Sequence, residues 1–269
     1  MLTCSALTVN VAGRALVRDL TFHLAPGDTL CVLGPNGVGK TLTLHTLAGL
    51  RAPGHGSILL GQDTLHQLPR RAIARRLGLL LQDDAETFPA TVMETTLMGR
   101  HPHLPGTAGE SADDRERARA ALSAMGLAGF DARQVATLSG GERRRLALAR
   151  LLTQDPRVLL LDEPVNHLDP RHQIGVLEHI ATLASAGRGV VMTLHDPTLA
   201  LRFASHALLL FNEGTWLLDT TRAALTPANL AHLFGTPYDR YVNDRRDVAL
   251  FPRTSGARTA ALDDPLPGG

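Results

Sequence analysis

Short apolar runs separated by glycine turns open the chain: LTVNVAG, LVRDLTFHL, TLCVL and GSILLG. Runs of this length bounded by Gly predict strands, mostly antiparallel. From Pro69 the pattern becomes helical in PRRAIARR, and LGLLL (Leu77 to Leu81) then forms a buried-strand run. Residues 90 to 153 carry almost no strand signal and much helical periodicity, including ADDRERARAALSAMG (Ala112 to Gly126). Three alternations follow: RVLLL, a helix from about Arg171 to Ser185, GVVMTL, a helix from about Pro197, and HALLLF. Continuous apolar strands separated by helices predict an α/β fold whose mainly parallel sheet is covered on both faces. The stretch TSGARTAALDDPLPGG (254–269) is Pro/Gly-rich without periodicity and is expected to be disordered.

Composition narrows the classes. The chain has 269 residues, 44% of them hydrophobic, and its 27 basic residues face 26 acidic ones. That balance offers no excess charge for a nucleic-acid backbone, so no nucleic-acid partner is expected. Cys4 and Cys31 lack metal-ligand spacing and read as small hydrophobes. The longest apolar runs, such as VLLL (Val158 to Leu161) and ALLLF (Ala207 to Phe211), fall far short of the ~20 residues that span a bilayer. The beginning, MLTCSALTVN, has no charged region before an apolar one, so no signal peptide is expected.

Only one of the basic residues is a lysine, Lys40, and it lies in GPNGVGKT: Gly34, Pro35, Asn36, Gly37, Val38, Gly39, Lys40 and Thr41. The stretch fits G-x-x-x-x-G-K-[ST], with a strand (Thr29 to Leu33) before it and an expected amphipathic helix, ending near Gly49, after it. The glycines let successive N–H groups from Gly37 through Lys40 turn inward around a phosphate chain, and the helix N-terminus adds partial positive charge. Lys40 can then bridge β- and γ-phosphates as a compact point charge, while Thr41 offers a hydroxyl to Mg²⁺. A planar guanidinium is bulkier and wants a two-pronged partner, so it fits such a nest badly. Thr43, further into the helix, is counted with the nucleotide-binding residues.

Ligands of a parallel sheet sit beyond the C-terminal ends of its strands. Four predicted strands end usefully there: one in the P-loop, LGLLL in Gln82, RVLLL in Asp162 and Glu163, and GVVMTL in His195. On an extended chain, adjacent Asp162 and Glu163 point to opposite sides, so they take different tasks. Asp162 is expected at Mg²⁺, through water, and Glu163 as general base, with Pro164 stopping the strand. His195 can donate to a γ-phosphate, and Gln82 can orient water or metal.

A second glycine motif, LSGGERRRLALARLL (Leu138 to Leu152), places Ser139 and Glu142 in an S-x-x-E capping box. Gly140 and Gly141 are poor helix formers, and arginines at 143 to 145 oppose the helix dipole. Exposed N–H groups beside a serine hydroxyl at a helix start make a second phosphate-binding surface.

Together, GPNGVGKT, Gln82, LSGGE, VLLLDEP, NHLD (Asn166 to Asp169) and His195, in this order, resemble the ATP-binding subunit of an ATP-binding cassette (ABC) transporter. The resemblance covers residues 1 to about 235 and implies a P-loop NTPase core with an N-terminal antiparallel β subdomain. It also implies an inserted helical subdomain at about 89–156, with 236–253 as a C-terminal extension. The family implies a head-to-tail homodimer in which Ser139, Gly140 and Gly141 contact the γ-phosphate held by the other copy's Lys40. Glu142 belongs to that surface, and Asp169 lies at the subunit junction. The same resemblance implies a multispanning permease, docked after Gln82, that holds the chain at the cytoplasmic face of the inner membrane. A solute-binding protein acts indirectly. FPATVMETTLMGRHPHL (Phe88 to Leu104), LDPRHQIGVL (Leu168 to Leu177) and LTPANLAHLFGTPYD (Leu225 to Asp239) resemble importers of iron–siderophore, haem or cobalamin.

The pattern departs from the family at TVNVAG (Thr8 to Gly13), where an aromatic usually stacks on adenine and Val11 is the expected substitute. A guanine-specific GTPase would need a second lysine in its base-recognition box, which this chain lacks. The rival readings are a soluble cassette ATPase acting on nucleic acid or ribosomes, and an importer of another cargo such as a metal ion.

Overall fold

The computed structural model describes residues 1–82, 89–105 and 109–253. Strands β1 (Leu2–Val11) and β2 (Arg14–Leu24) pair antiparallel around a turn at Ala12 and Gly13, both with positive φ. Strand β3 (Thr29–Leu33) leaves this layer and leads through the glycine loop to α1 (Lys40–Leu47). The chain then returns through β4 (His55–Leu60) and β5 (Asp63–Thr64), closing a four-stranded sheet in the order β2-β1-β4-β5. The helix expected to be amphipathic, α1, is buried around most of its circumference, with Leu44 and Leu47 in the core beneath this sheet.

The helix α2 (Arg70–Ala74) and strand β6 (Leu77–Leu80) precede a helical stretch of α3 (Val92–Leu97), α4 (Ala112–Ala124) and α5 (Gly140–Gln154). Each of these three helices begins with a capping box: Thr91 with Glu94, Ser111 with Asp114, and Ser139 with Glu142. Asp114 also receives Arg100 Nε at 2.7 Å, and Arg100 reaches the Thr153 carbonyl, which ties the start of α4 to the end of α5.

The remainder alternates: β7 (Val158–Leu161), α6 (Pro170–Ser185), β8 (Gly189–Thr193), α7 (Pro197–Phe203), β9 (His206–Leu210) and β10 (Trp216–Thr220). The second sheet has the order β10-β9-β3-β8-β7-β6, parallel throughout except for edge strand β10. Its strands read as unbroken apolar runs because both faces are covered. In β3, Leu30 and Val32 enter the core shared with the antiparallel sheet, while Cys31 and Leu33 enter the core on the other face. Val158 and Leu160 divide from Leu159 and Leu161 in the same way. Cys4 and Cys31 are both buried, and burial pushes the Cys4 thiol up to about 12, as suits small apolar residues.

Past α8 (Thr221–Ala224) and α9 (Pro227–Phe234), the hairpin β11 (Tyr238–Val242) and β12 (Val248–Pro252) packs on α7 through buried Leu250. Its N–H donates to Thr198 Oγ1. Neither this hairpin nor β10 is expected from the sequence pattern. The tail 254–269, the start of the importer-like segment at Phe88, and the stretch directly after Gln82 lie outside the described residues.

Candidate functional site

Strands β3, β8, β7 and β6 are parallel neighbours, so their C-terminal ends line one edge. The P-loop, His195, the Asp162–Glu163 pair and Gln82 follow those ends in that order. Gly37 and Gly39 take positive φ of 79° and 112°, the left-handed backbone that glycine adopts without steric cost. A Cβ on Gly34 would meet the Leu210 carbonyl oxygen at 2.7 Å, so the loop enters against β9 only as glycine. Val38 is buried, and so is Thr43, whose hydroxyl donates to the Gly39 carbonyl at 2.8 Å. Thr43 therefore braces the loop from behind and does not face a ligand.

Lys40 is buried, and its Nζ donates to the carbonyls of Gly34 (2.7 Å) and Pro35 (3.2 Å). Burial pushes its pKa down, while the carboxylates of Glu163 and Asp162 oppose that shift. A cleft of about 490 Å³ opens beside it, with Asn36, Gly37, Gly39, Lys40 and Thr41 on one wall. The opposite wall is Gln82, Glu163, Asn166 and His195.

Glu163 is the centre of that wall. Its Oε1 accepts from His195 Nε2 at 2.6 Å, and its Oε2 accepts from Asn166 Nδ2 at 2.9 Å and Gln82 Nε2 at 3.4 Å. Contrary to the expectation from an extended chain, the acidic pair does not lie on a strand. Strand β7 ends at Leu161, before either acid, and Glu163 has φ +48°, a left-handed conformation that costs a side-chain-bearing residue on the order of 1–3 kcal/mol. Pro164 follows this reversal and does not terminate the strand. The turn is pinned by Thr193, whose Oγ1 accepts the Glu163 N–H at 2.8 Å and donates to Asp162 Oδ1 at 2.7 Å.

Asp162 is wholly buried, and its Oδ2 has no hydrogen-bond partner among the described residues. A buried carboxylate oxygen left unpaired is costly, and it suits a hard cation or the water bound to one. No cluster of three His, Cys, Asp or Glu side chains able to hold a metal exists among the described residues. A divalent ion here would thus draw ligands from Thr41 and from phosphate oxygens as well as from Asp162.

Ser139 caps α5: its Oγ accepts the Glu142 N–H, while Glu142 accepts the Ser139 N–H at 2.7 Å and lies 3.4 Å from Arg133. The Ser139 N–H, foremost, holds the Glu142 carboxyl below its usual range. Ser139 and Gly140 are exposed, and neither they, Gly141 nor Glu142 lines the Lys40 cleft. The three arginines after them, at 143 to 145, are all engaged by backbone. Each turns to carbonyl oxygens: Arg143 to Leu138, Arg145 to Met125 and Gly126, and Arg144 to the ends of β6 and β7. Asp169 caps α6 and accepts from the N–H and Nδ1 of His172, which hold its carboxyl low.

Val11 sits at the β1–β2 turn and does not line the cleft. Leu16 of β2 stands against the P-loop instead, 3.1 Å from where a Cβ on Gly39 would lie. Sequence reasoning also gave no role to Asn166, Thr193 or Arg144. Asn166 was visible in NHLD, but a threonine in a buried strand and an arginine in a charged run carry no signal of their own.

A glycine loop leading from a parallel strand into a helix, facing carboxylates at the end of a nearby strand, defines a P-loop nucleoside triphosphatase. The family model "ABC transporter" matches residues 17–166. The chain is 39% identical over 240 residues to the hemin import ATP-binding protein HmuV of Pseudomonas entomophila, covering 87% of this chain and 92% of that one. It is 32% identical over 263 residues to the ferric enterobactin transport ATP-binding protein FepC of Escherichia coli, covering 97% and 89%. A solved structure of an ABC transporter described as metal-chelate type, inward-facing, superposes with a TM-score of 0.82 at 30% identity, covering 94% of this chain and 97% of that one. The chain belongs to the ABC transporter family, as its ATP-binding and ATP-hydrolysing cassette.

Proposed function

We propose that the chain is the ATPase subunit of an importer, that two copies close head to tail around two ATP, and that this closure drives a membrane permease. The observation that carries the reading is the separation of the two phosphate-binding surfaces. Ser139 to Glu142 present a helix N-terminus to solvent, away from the cleft that holds Lys40. One chain therefore supplies two half-sites, and a second copy completes both.

In this reading the loop N–H groups and Lys40 hold the β- and γ-phosphates. Mg²⁺, bound through Thr41 and Asp162 with Gln82 close by, would neutralise developing phosphate charge. Glu163 takes the proton of the attacking water as Gln82, Asn166 and His195 fix the direction of its carboxylate. Ser139, Gly140 and Gly141 of the second copy close over the γ-phosphate, and exposed Asp169 stands at the junction. Leu16 offers the nucleotide base an apolar surface. No helix among the described residues is long and apolar enough to cross a membrane, so attachment to the inner membrane's cytoplasmic face falls to the permease. The hemin and ferric enterobactin relatives support a haem or iron–siderophore cargo, presented by a solute-binding protein.

Complementation between defective chains tests the shared site. Lys40→Ala and Ser139→Arg chains are each expected to lack turnover, and their mixture to regain it through one intact composite site per mixed dimer. No recovery on mixing two folded variants contradicts the reading.

A further inference from the structure

The parallel ladder between β6 and β7 ends at the pair Leu80↔Leu161, and beyond it the two strands carry the loops of the hydrolytic wall. One side chain continues the connection. Arg144, buried at the start of the second turn of α5, sends its guanidinium between the two strand ends. Its Nη1 donates to the carbonyls of Leu81 and Gln82 (3.2 Å), and its Nη2 to those of Asp162 and Glu163 (2.8 Å). Each terminal nitrogen thus serves one strand end, and four N–H groups meet four carbonyls.

This arrangement uses the properties of guanidinium: planar, always charged, with donors in a fixed fork. It also meets a need of the site. Glu163 keeps its left-handed backbone only while its surroundings hold it there, and Arg144 takes the Glu163 carbonyl while Thr193 takes the N–H of the same residue. The same arginine follows Gly141 by three positions, in the helix whose tip presents Ser139.

We infer that Arg144 is a positioning residue that holds Gln82 and Glu163 in register with the serine-glycine tip of α5, so that gripping the second copy's triphosphate sets the hydrolytic wall of its own site. The inference rests on the shared-site reading above. A guanidinium that only stabilised the fold would change melting temperature and leave the chemistry of folded protein intact. A positioning role predicts a split: nucleotide affinity, carried by the P-loop, stays put while turnover falls.

The test compares Arg144→Gln and Arg144→Lys with the parent chain, measuring thermal unfolding, equilibrium ATP binding and steady-state hydrolysis. Arg144→Gln is expected to bind ATP within about threefold of the parent while kcat falls roughly tenfold or more. Arg144→Lys keeps the charge but loses the fork, so it should fold and still fail to restore kcat. If Arg144→Gln does not fold, the lysine variant alone decides. Parent-like kcat in either folded variant overturns the inference, as does an equal loss of binding and turnover. Loss of fold in both variants assigns the guanidinium to stability alone and overturns it too. Mixing Lys40→Ala and Ser139→Arg chains, run in parallel, reports on the underlying reading: if two folded variants recover no turnover together, that reading fails whatever the Arg144 variants do.

Discussion

His195 Nε2 donates to Glu163 Oε1 across 2.6 Å, and the acceptor belongs to a carboxylate whose backbone sits at φ +48°. The imidazole, half exposed at the end of β8, steers a nearly buried carboxylate at the end of β7. Removing it frees the carboxylate to turn from the water it must activate. His195→Ala is expected to lower kcat about ten- to hundredfold with ATP binding little changed, as measured by single-turnover hydrolysis beside equilibrium binding. Unchanged turnover would remove His195 from the mechanism.

Lys40 is held by the carbonyls of Gly34 and Pro35 inside a loop closed by Gly39 and Leu16. A guanidinium is bulkier than an ammonium and wants a two-pronged acid partner, not two single carbonyls of one loop. Lys40→Arg is expected to fold, since arginine preserves the charge, yet to lose on the order of a hundredfold in kcat/KM. Near-normal kcat/KM in that variant contradicts the proposed role of the ammonium.

Much of this site is legible from residue order alone, because β3, β6, β7 and β8 read as short apolar runs whose ends can be located. Gln82, Asp162, Glu163 and His195 follow from that. What is not legible depends on contacts between distant elements. Thr193 looks like any β-branched strand residue until its hydroxyl is seen bridging Asp162 and Glu163. Arg144 reads as one charge in a run of three, although its burial sets it apart from exposed Arg143. Thr43 errs the other way: its place beside the P-loop suggests a ligand contact, but helix geometry aims its hydroxyl at the Gly39 carbonyl. The β11–β12 hairpin is hidden because charged YDRYV and NDRRD mask a fold-back whose apolar anchor is the single buried Leu250.

Asp114 joins the start of α4 to Arg100, and the Ser111 N–H, then Arg100, lower its carboxyl from the ordinary 3.8 to about 2. A depressed carboxylate contributes stability that is full above about pH 4 and is lost as pH falls through 2. Asp114→Asn is therefore expected to cost roughly 2 kcal/mol at neutral pH, with the difference from the parent vanishing toward pH 2. Denaturant unfolding at pH 7 and near pH 3 checks both. An equal difference at the two pH values contradicts the assignment.

Leu16 and Val11 offer the nucleotide base no aromatic face, which withholds something like 1 kcal/mol of stacking. ATP and GTP should be hydrolysed with kcat/KM values within about a hundredfold of each other. A wider gap in parallel hydrolysis assays means that base recognition comes from elsewhere.

The composite site is tested most directly by Glu163→Gln, which removes the base and keeps the donors and phosphate contacts around it. Sedimentation of this variant with ATP and Mg²⁺ should show a stable dimer retaining one nucleotide per chain. A variant that binds ATP fully and sediments as a monomer at every concentration contradicts the claim that two copies share each ATP.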